Sequence, residues 1–127
     1  MAVWLRIRIK GQAGDSIRLR LAERLQPDGE IFTKNLRDAH CTDIYVVSGR
    51  EPQDATWAPR FVYHGFRYVE ISGYPNAKTE DFTAEVVDDE MAHTGTFTGS
   101  DETLHQVLRN AFWGIRSYYK GMPVDCP

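Results

Sequence analysis

The chain has 127 residues, of which 42% are hydrophobic and 26% charged; this fits one ordinary globular domain and excludes disordered, fibrous and collagen-like classes. Its net charge of −3 and scattered basic residues give no electrostatic footprint for a nucleic-acid partner. Two cysteines, Cys41 and Cys126, are too few for a disulfide scaffold or a cysteine-based zinc site, and with no apolar run near the roughly 20 residues that span a bilayer, neither a membrane partner nor a secretion signal is expected.

From Val3 to Ile9 the odd positions Val3, Leu5, Ile7 and Ile9 are apolar and alternate with Arg6 and Arg8, the period of a half-buried strand. Gly11-Gln12-Ala13-Gly14-Asp15 reads as a turn, and Ile17, Leu19 and Leu21 alternate with Arg18 and Arg20 in a second strand. The two strands are expected to pair as an antiparallel hairpin with one wet, basic face. Pro27-Asp28-Gly29 supplies a further turn, Pro presetting φ and Gly accepting a positive one. More strands are predicted over Thr42–Val47, Arg60–Tyr63, Phe66–Ile71 and Thr83–Val87. Several short strands punctuated by Gly, Pro and Asp point to a mainly β chain, an antiparallel sandwich or barrel without crossover helices.

After Gly99 the period changes. Ser100 or Asp101 suits an N-cap, and Leu104, Val107, Leu108, Ala111, Phe112 and Ile115 follow at spacings of three and four, so one amphipathic helix is predicted over about Asp101–Tyr119. Leu104, Leu108 and Phe112 are expected to face the sheet. Phe112, Trp113, Tyr118 and Tyr119 point several ways around it, more apolar surface than docking on a single sheet uses. Gly121 suits the C-cap region and Pro123 forbids continuation. Met122-Pro123-Val124-Asp125-Cys126-Pro127 then stands where a new unit is expected to begin.

Chemistry is sparse. His40, His64, His93 and His105 show no metal-ligand spacing, so neither a metal nor a cofactor is expected. His40 and Cys41 are adjacent on a strand, where neighbouring side chains point to opposite faces; Cys41 is therefore expected to be a buried or half-buried small hydrophobe. Asp88-Asp89-Glu90 lacks the glycine-punctuated spacing of a calcium loop and reads as a solvated turn. There is no phosphate-binding glycine loop and no GxSxG elbow.

Taken in order along the chain, five motifs resemble bacterial α-L-rhamnosidases of glycoside hydrolase family 78. They are Trp4-Leu5-Arg6-Ile7-Arg8-Ile9-Lys10-Gly11 with Ala22-Glu23-Arg24-Leu25, then Gly29-Glu30-Ile31-Phe32-Thr33-Lys34-Asn35-Leu36-Arg37, Tyr63-His64-Gly65-Phe66-Arg67-Tyr68-Val69-Glu70-Ile71, Thr94-Gly95-Thr96-Phe97, and Asn110-Ala111-Phe112-Trp113-Gly114. The resemblance implies a jelly-roll or concanavalin-like β-sandwich over residues 1–99, and over residues 100–127 a helix that begins a truncated (α/α)₆ catalytic domain. It also implies that Asp125, in the Asp-Cys-Pro motif, binds rhamnose hydroxyls. The family's general acid and general base have no counterpart in this sequence, so no catalytic residue is assigned. Inverting hydrolysis needs two carboxylates about 6.5–9.5 Å apart. The expected partners are the remainder of a parent rhamnosidase and, through it, a carbohydrate substrate. The alternative is a free-standing carbohydrate-binding module in which Trp57, Tyr63 and Tyr74 stack on sugar rings; a purely structural domain is the third role.

Overall fold

A computed structural model describes residues 2–123. Nine strands precede one helix: β1 (Ala2–Arg8), β2 (Ser16–Ala22), β3 (Arg24–Leu25), β4 (Ile31–Phe32), β5 (Thr42–Val46), β6 (Thr56–Trp57), β7 (His64–Gly65), β8 (Tyr68–Ser72), β9 (Phe82–Val86) and α1 (Glu102–Tyr118). All strand pairs are antiparallel. The mainly β architecture with a single C-terminal helix is the one the sequence predicts.

The partnering is different from that prediction. β1 and β2 do not form a hairpin; each is the centre of its own sheet. β1 carries β9 along one edge, and β6 and β7 along the other near its two ends. β2 lies between β5 and β8. Strict alternation fixes which residues face inward and says nothing of the neighbouring strand. Here the segment Ile9–Asp15 crosses from one sheet to the other, and the two inward rows meet face to face. Leu5 and Ile7 pack with Ile17, Leu19 and Val47 in one buried cluster, against which Tyr45, Trp57, Phe66, Ile71 and Phe82 close.

Each outward row carries one ion pair across the strands. Arg6 Nη2 reaches Glu85 at 2.8 Å from β1 to β9, and Arg20 reaches Glu70 at 2.8 Å from β2 to β8. Asp81, nearly fully buried, accepts from Lys10 Nζ at 2.7 Å and so fastens the end of β1 to the start of β9. One turn requires glycine. Gly73 has φ +71°, and a Cβ there would lie 2.0 Å from the Ser16 carbonyl oxygen.

Two further expectations change. Arg60–Tyr63 is not a strand, because the β7 ladder comprises only His64 and Gly65. The predicted helix forms, with Asp101 as N-cap accepting from the Thr103 and Leu104 amides, yet none of its residues is buried. Leu104 is 44% and Leu108 40% exposed, so they do not face a sheet; only Phe112 of the three is half-buried, and it packs on His93 at 4.4 Å.

Candidate functional site

Three features outside the core carry chemistry. The first joins the two sheets. Asp43 lies opposite Leu19 in the β5–β2 register, and Leu19 is fully buried, so Asp43 points into the sandwich. Cys41, two residues earlier, shares that inward side. His64 arrives from β7 in the opposite sheet. Its Nε2 lies 3.0 Å from Asp43 Oδ1 and its Nδ1 3.3 Å from Cys41 Sγ. The side chains of His64 and Asp43 are 12% and 9% exposed.

The hydrogen bond to Asp43, then that to Cys41, raises the His64 pKa to about 9 against the opposing effect of burial. The ring is therefore an imidazolium at neutral pH, donating from both nitrogens. Asp43 Oδ2 is buried without a hydrogen-bond partner. Cys41 is thus not merely the small hydrophobe expected from the sequence. His40, which neighbours it in the chain, is exposed and takes no part. Sequence reasoning missed this cluster because its members lie 21 and 23 residues apart; the available signal was Cys41-x-Asp43, two polar groups on one strand face.

The second feature ties the helix to the sandwich. Asp88 forms an ion pair with Arg116, which holds the Asp88 carboxyl below its usual range. Asp89 receives the Gly121 amide at 2.7 Å, and the Asp89 amide donates to the Tyr119 carbonyl at 3.1 Å. Gly121 has φ +78°, as a residue just past a helix end commonly does. Asp88 and Asp89 are half-buried at this joint, which corrects their reading as a solvated turn. A hollow of about 410 Å³ lies between this segment and the helix, lined by Asp88, Asp89, His93, Phe112 and Arg116 among others.

The third feature is the aromatic set. Trp57 packs on Tyr45 at 5.2 Å, and Tyr74 packs on Phe82 at 4.9 Å while donating its hydroxyl to the Arg8 carbonyl at 2.8 Å. Tyr63 lies under Lys120, 5.9 Å from Nζ to the ring centroid. All three are half-buried, and they present no common exposed platform for a sugar. Asp125 lies outside the described residues. Among the described residues no three His, Cys, Asp or Glu side chains are arranged to hold a metal ion, and no helix is long and apolar enough to cross a membrane.

Two facing antiparallel sheets closed on one apolar core define a concanavalin-like β-sandwich module. The model of the bacterial alpha-L-rhamnosidase concanavalin-like domain matches residues 1–88, and that of the bacterial alpha-L-rhamnosidase 6 hairpin glycosidase domain matches residues 92–127. The chain belongs to the bacterial α-L-rhamnosidase family. It is 40% identical over 124 residues to an alpha-L-rhamnosidase of Streptomyces avermitilis, covering 97% of this chain and 12% of that protein. To an alpha-L-rhamnosidase of Formosa agariphila it is 38% identical, covering 95% and 13%.

Among solved structures it resembles the Streptomyces avermitilis alpha-L-rhamnosidase complexed with L-rhamnose, with a TM-score of 0.80 at 40% identity, over 98% of this chain and 12% of the other. The alpha-L-rhamnosidase of Aspergillus terreus is similar over 100% of this chain and 15% of its own, with a TM-score of 0.81 at 38% identity. The chain thus spans about an eighth of the length of the curated relatives it matches.

Proposed function

We propose that this chain is the scaffold portion of an α-L-rhamnosidase, an enzyme that hydrolyses terminal α-L-rhamnose from glycosides. In this reading residues 1–99 are a non-catalytic sandwich, and residues 100–127 are the first helix and opening segment of an (α/α)₆ catalytic domain. The observation that carries it is the state of α1. Leu104, Val107, Leu108, Trp113 and Ile115 are all 40% or more exposed, while Asp88 and Asp89 grip only the C-terminal end of the helix. Such an unpartnered apolar surface fits a surrounding helical layer, and the relatives are about eight times longer than this chain.

Asp125 binds rhamnose hydroxyls in this reading. It orients the sugar but cannot both protonate the leaving oxygen and activate water; those carboxylates come from the remainder of the enzyme, which is the chain's chief partner. Engagement of Trp57 and Tyr74 in packing and hydrogen bonding argues against the alternative of a free-standing carbohydrate-binding module.

The test is rhamnose release from an aryl α-L-rhamnoside. The purified 127-residue chain is expected to release none, and the same chain fused to the helical glycosidase domain of its Streptomyces avermitilis relative is expected to be active. Asp125→Ala in the fusion should weaken substrate use sharply. Turnover by the chain alone, abolished by Asp125→Ala, would overturn the division between scaffold and catalytic domain.

A further inference from the structure

The Asp43–His64 pair ties the two sheets together, but the scaffold role leaves the third member of the cluster, Cys41, unexplained. We propose that Cys41 is a nucleophilic thiol, activated by His64 with Asp43 positioning the ring, and that it is a site of covalent modification by small uncharged electrophiles, hydroperoxides among them. The order of contacts is that of a nucleophile, an imidazolium proton donor and an orienting carboxylate, with Sγ at Nδ1 and Oδ1 at Nε2. Asp43 is nine-tenths buried and its second oxygen has no partner. A buried carboxylate so placed demands a cation, and His64 is the cation it touches. Holding His64 protonated from one side aims a charged N–H donor at sulfur from the other.

The remaining surroundings agree. Cys41 borders two hollows. One, of about 200 Å³, has largely apolar walls that include Leu21, Phe32 and Leu36, with Glu23 and Tyr63 at its sides. The other, of about 150 Å³, is lined by Arg20, Arg37 and His40. Glu70 takes up Arg20. Arg37 and His40 line the second hollow and Glu23 the first, while Asp43 is the carboxylate held on His64. Cys41 itself is half-buried, and hollows of this size admit only small reagents.

With a hydroperoxide, the sulfur attacks the terminal oxygen. An S–O bond forms, the O–O bond breaks, and the departing oxygen takes the proton from His64 Nδ1. The thiolate is oxidised by two electrons to a sulfenic acid, and hydrogen peroxide is reduced to water.

The experiment uses the full 127-residue chain at pH 7, with iodoacetamide labelling followed residue by residue through peptide mass spectrometry. Cys41 is expected to react about tenfold or more faster in the folded chain than in the chain unfolded in urea, and His64→Gln should remove that excess. Dilute hydrogen peroxide with dimedone should label Cys41 in the folded wild-type chain and not in folded His64→Gln. Equal alkylation rates in wild type and folded His64→Gln would overturn the proposal, as would absence of the dimedone adduct. Should His64→Gln fail to fold, the wild-type ratio decides by itself, and folded Cys41 reacting no faster than unfolded Cys41 refutes activation.

Discussion

Raising the pH from 6 to 10 should destabilise this domain through one residue, His64. Its folded pKa is about 9, against 6.5 for an ordinary histidine. Between those values the folded state holds a proton that the unfolded state has released, so stability falls as pH rises through the window. The contribution is fully present below about pH 6.5 and lost above about pH 9. At about 1.4 kcal/mol per pH unit, the upper bound is about 3 kcal/mol. His64 is 12% exposed, so solvent screening takes little from this figure. Urea denaturation at half-unit steps of pH measures it, with His64→Gln as reference, since every other titrating group is common to both chains. The wild-type curve should drop by about 2–3 kcal/mol relative to the variant across the window. Asp43→Asn, which removes the largest cause of the shift, should flatten the wild-type curve. Parallel curves for wild type and His64→Gln would show that the Asp43–His64 contact is not the ion pair the geometry describes.

Other substitutions separate the sandwich from the helix. Leu19→Ala, at a fully buried position of β2, should cost about 2–4 kcal/mol in chemical denaturation, whereas Leu108→Ala in the same chain should cost less than about 0.5 kcal/mol because its side chain is already exposed. Arg116→Met removes the partner of Asp88, and hydrogen exchange should then accelerate across Glu102–Tyr118 while the amides of β1 and β2 keep their protection. Acid should do the same. The Asp88 carboxyl is held below its usual range by Arg116, so its contribution is present above the ordinary carboxylate pKa and is lost as pH falls through the lowered folded value.

The parts of this fold that were legible in the sequence are those with a period long enough to count. The alternation from Val3 to Ile9 and from Ile17 to Leu21 names the two inward rows correctly, since Val3, Leu5, Ile7, Ile17, Leu19 and Leu21 are all buried. What it cannot convey is whether consecutive strands pair edge to edge or stack face to face, because the same inward set satisfies both arrangements. The two-residue strands β3, β4, β6 and β7 have no period at all; their places are set by the partner's ladder. Likewise the Cys41–His64–Asp43 contacts are tertiary, made between opposite sheets, and local spacing shows only Cys41-x-Asp43 on one strand face, not the histidine that meets them.

The helix shows the limit from the other side. Its caps and its three-and-four spacing were readable because both are local, and Glu102–Tyr118 with an Asp101 cap agrees closely with the expected span. Its docking was misjudged because an apolar stripe specifies that a partner is needed without saying which. Burial now divides the molecule energetically. Its buried apolar side chains lie in the sandwich and none lies in α1, so the stability of the helix rests on its cap, on Asp88 and Asp89 and on the half-buried Phe112 against His93, contacts worth far less than a core. A segment held so lightly sits at the low end of the local stability range. It would gain stability by burying Leu104, Val107, Leu108, Trp113 and Ile115, all exposed here, against a partner surface. The apolar deficit says that α1 needs a partner, and the proposed assignment to a catalytic layer joins that deficit to the match of residues 92–127 with the 6 hairpin glycosidase domain model.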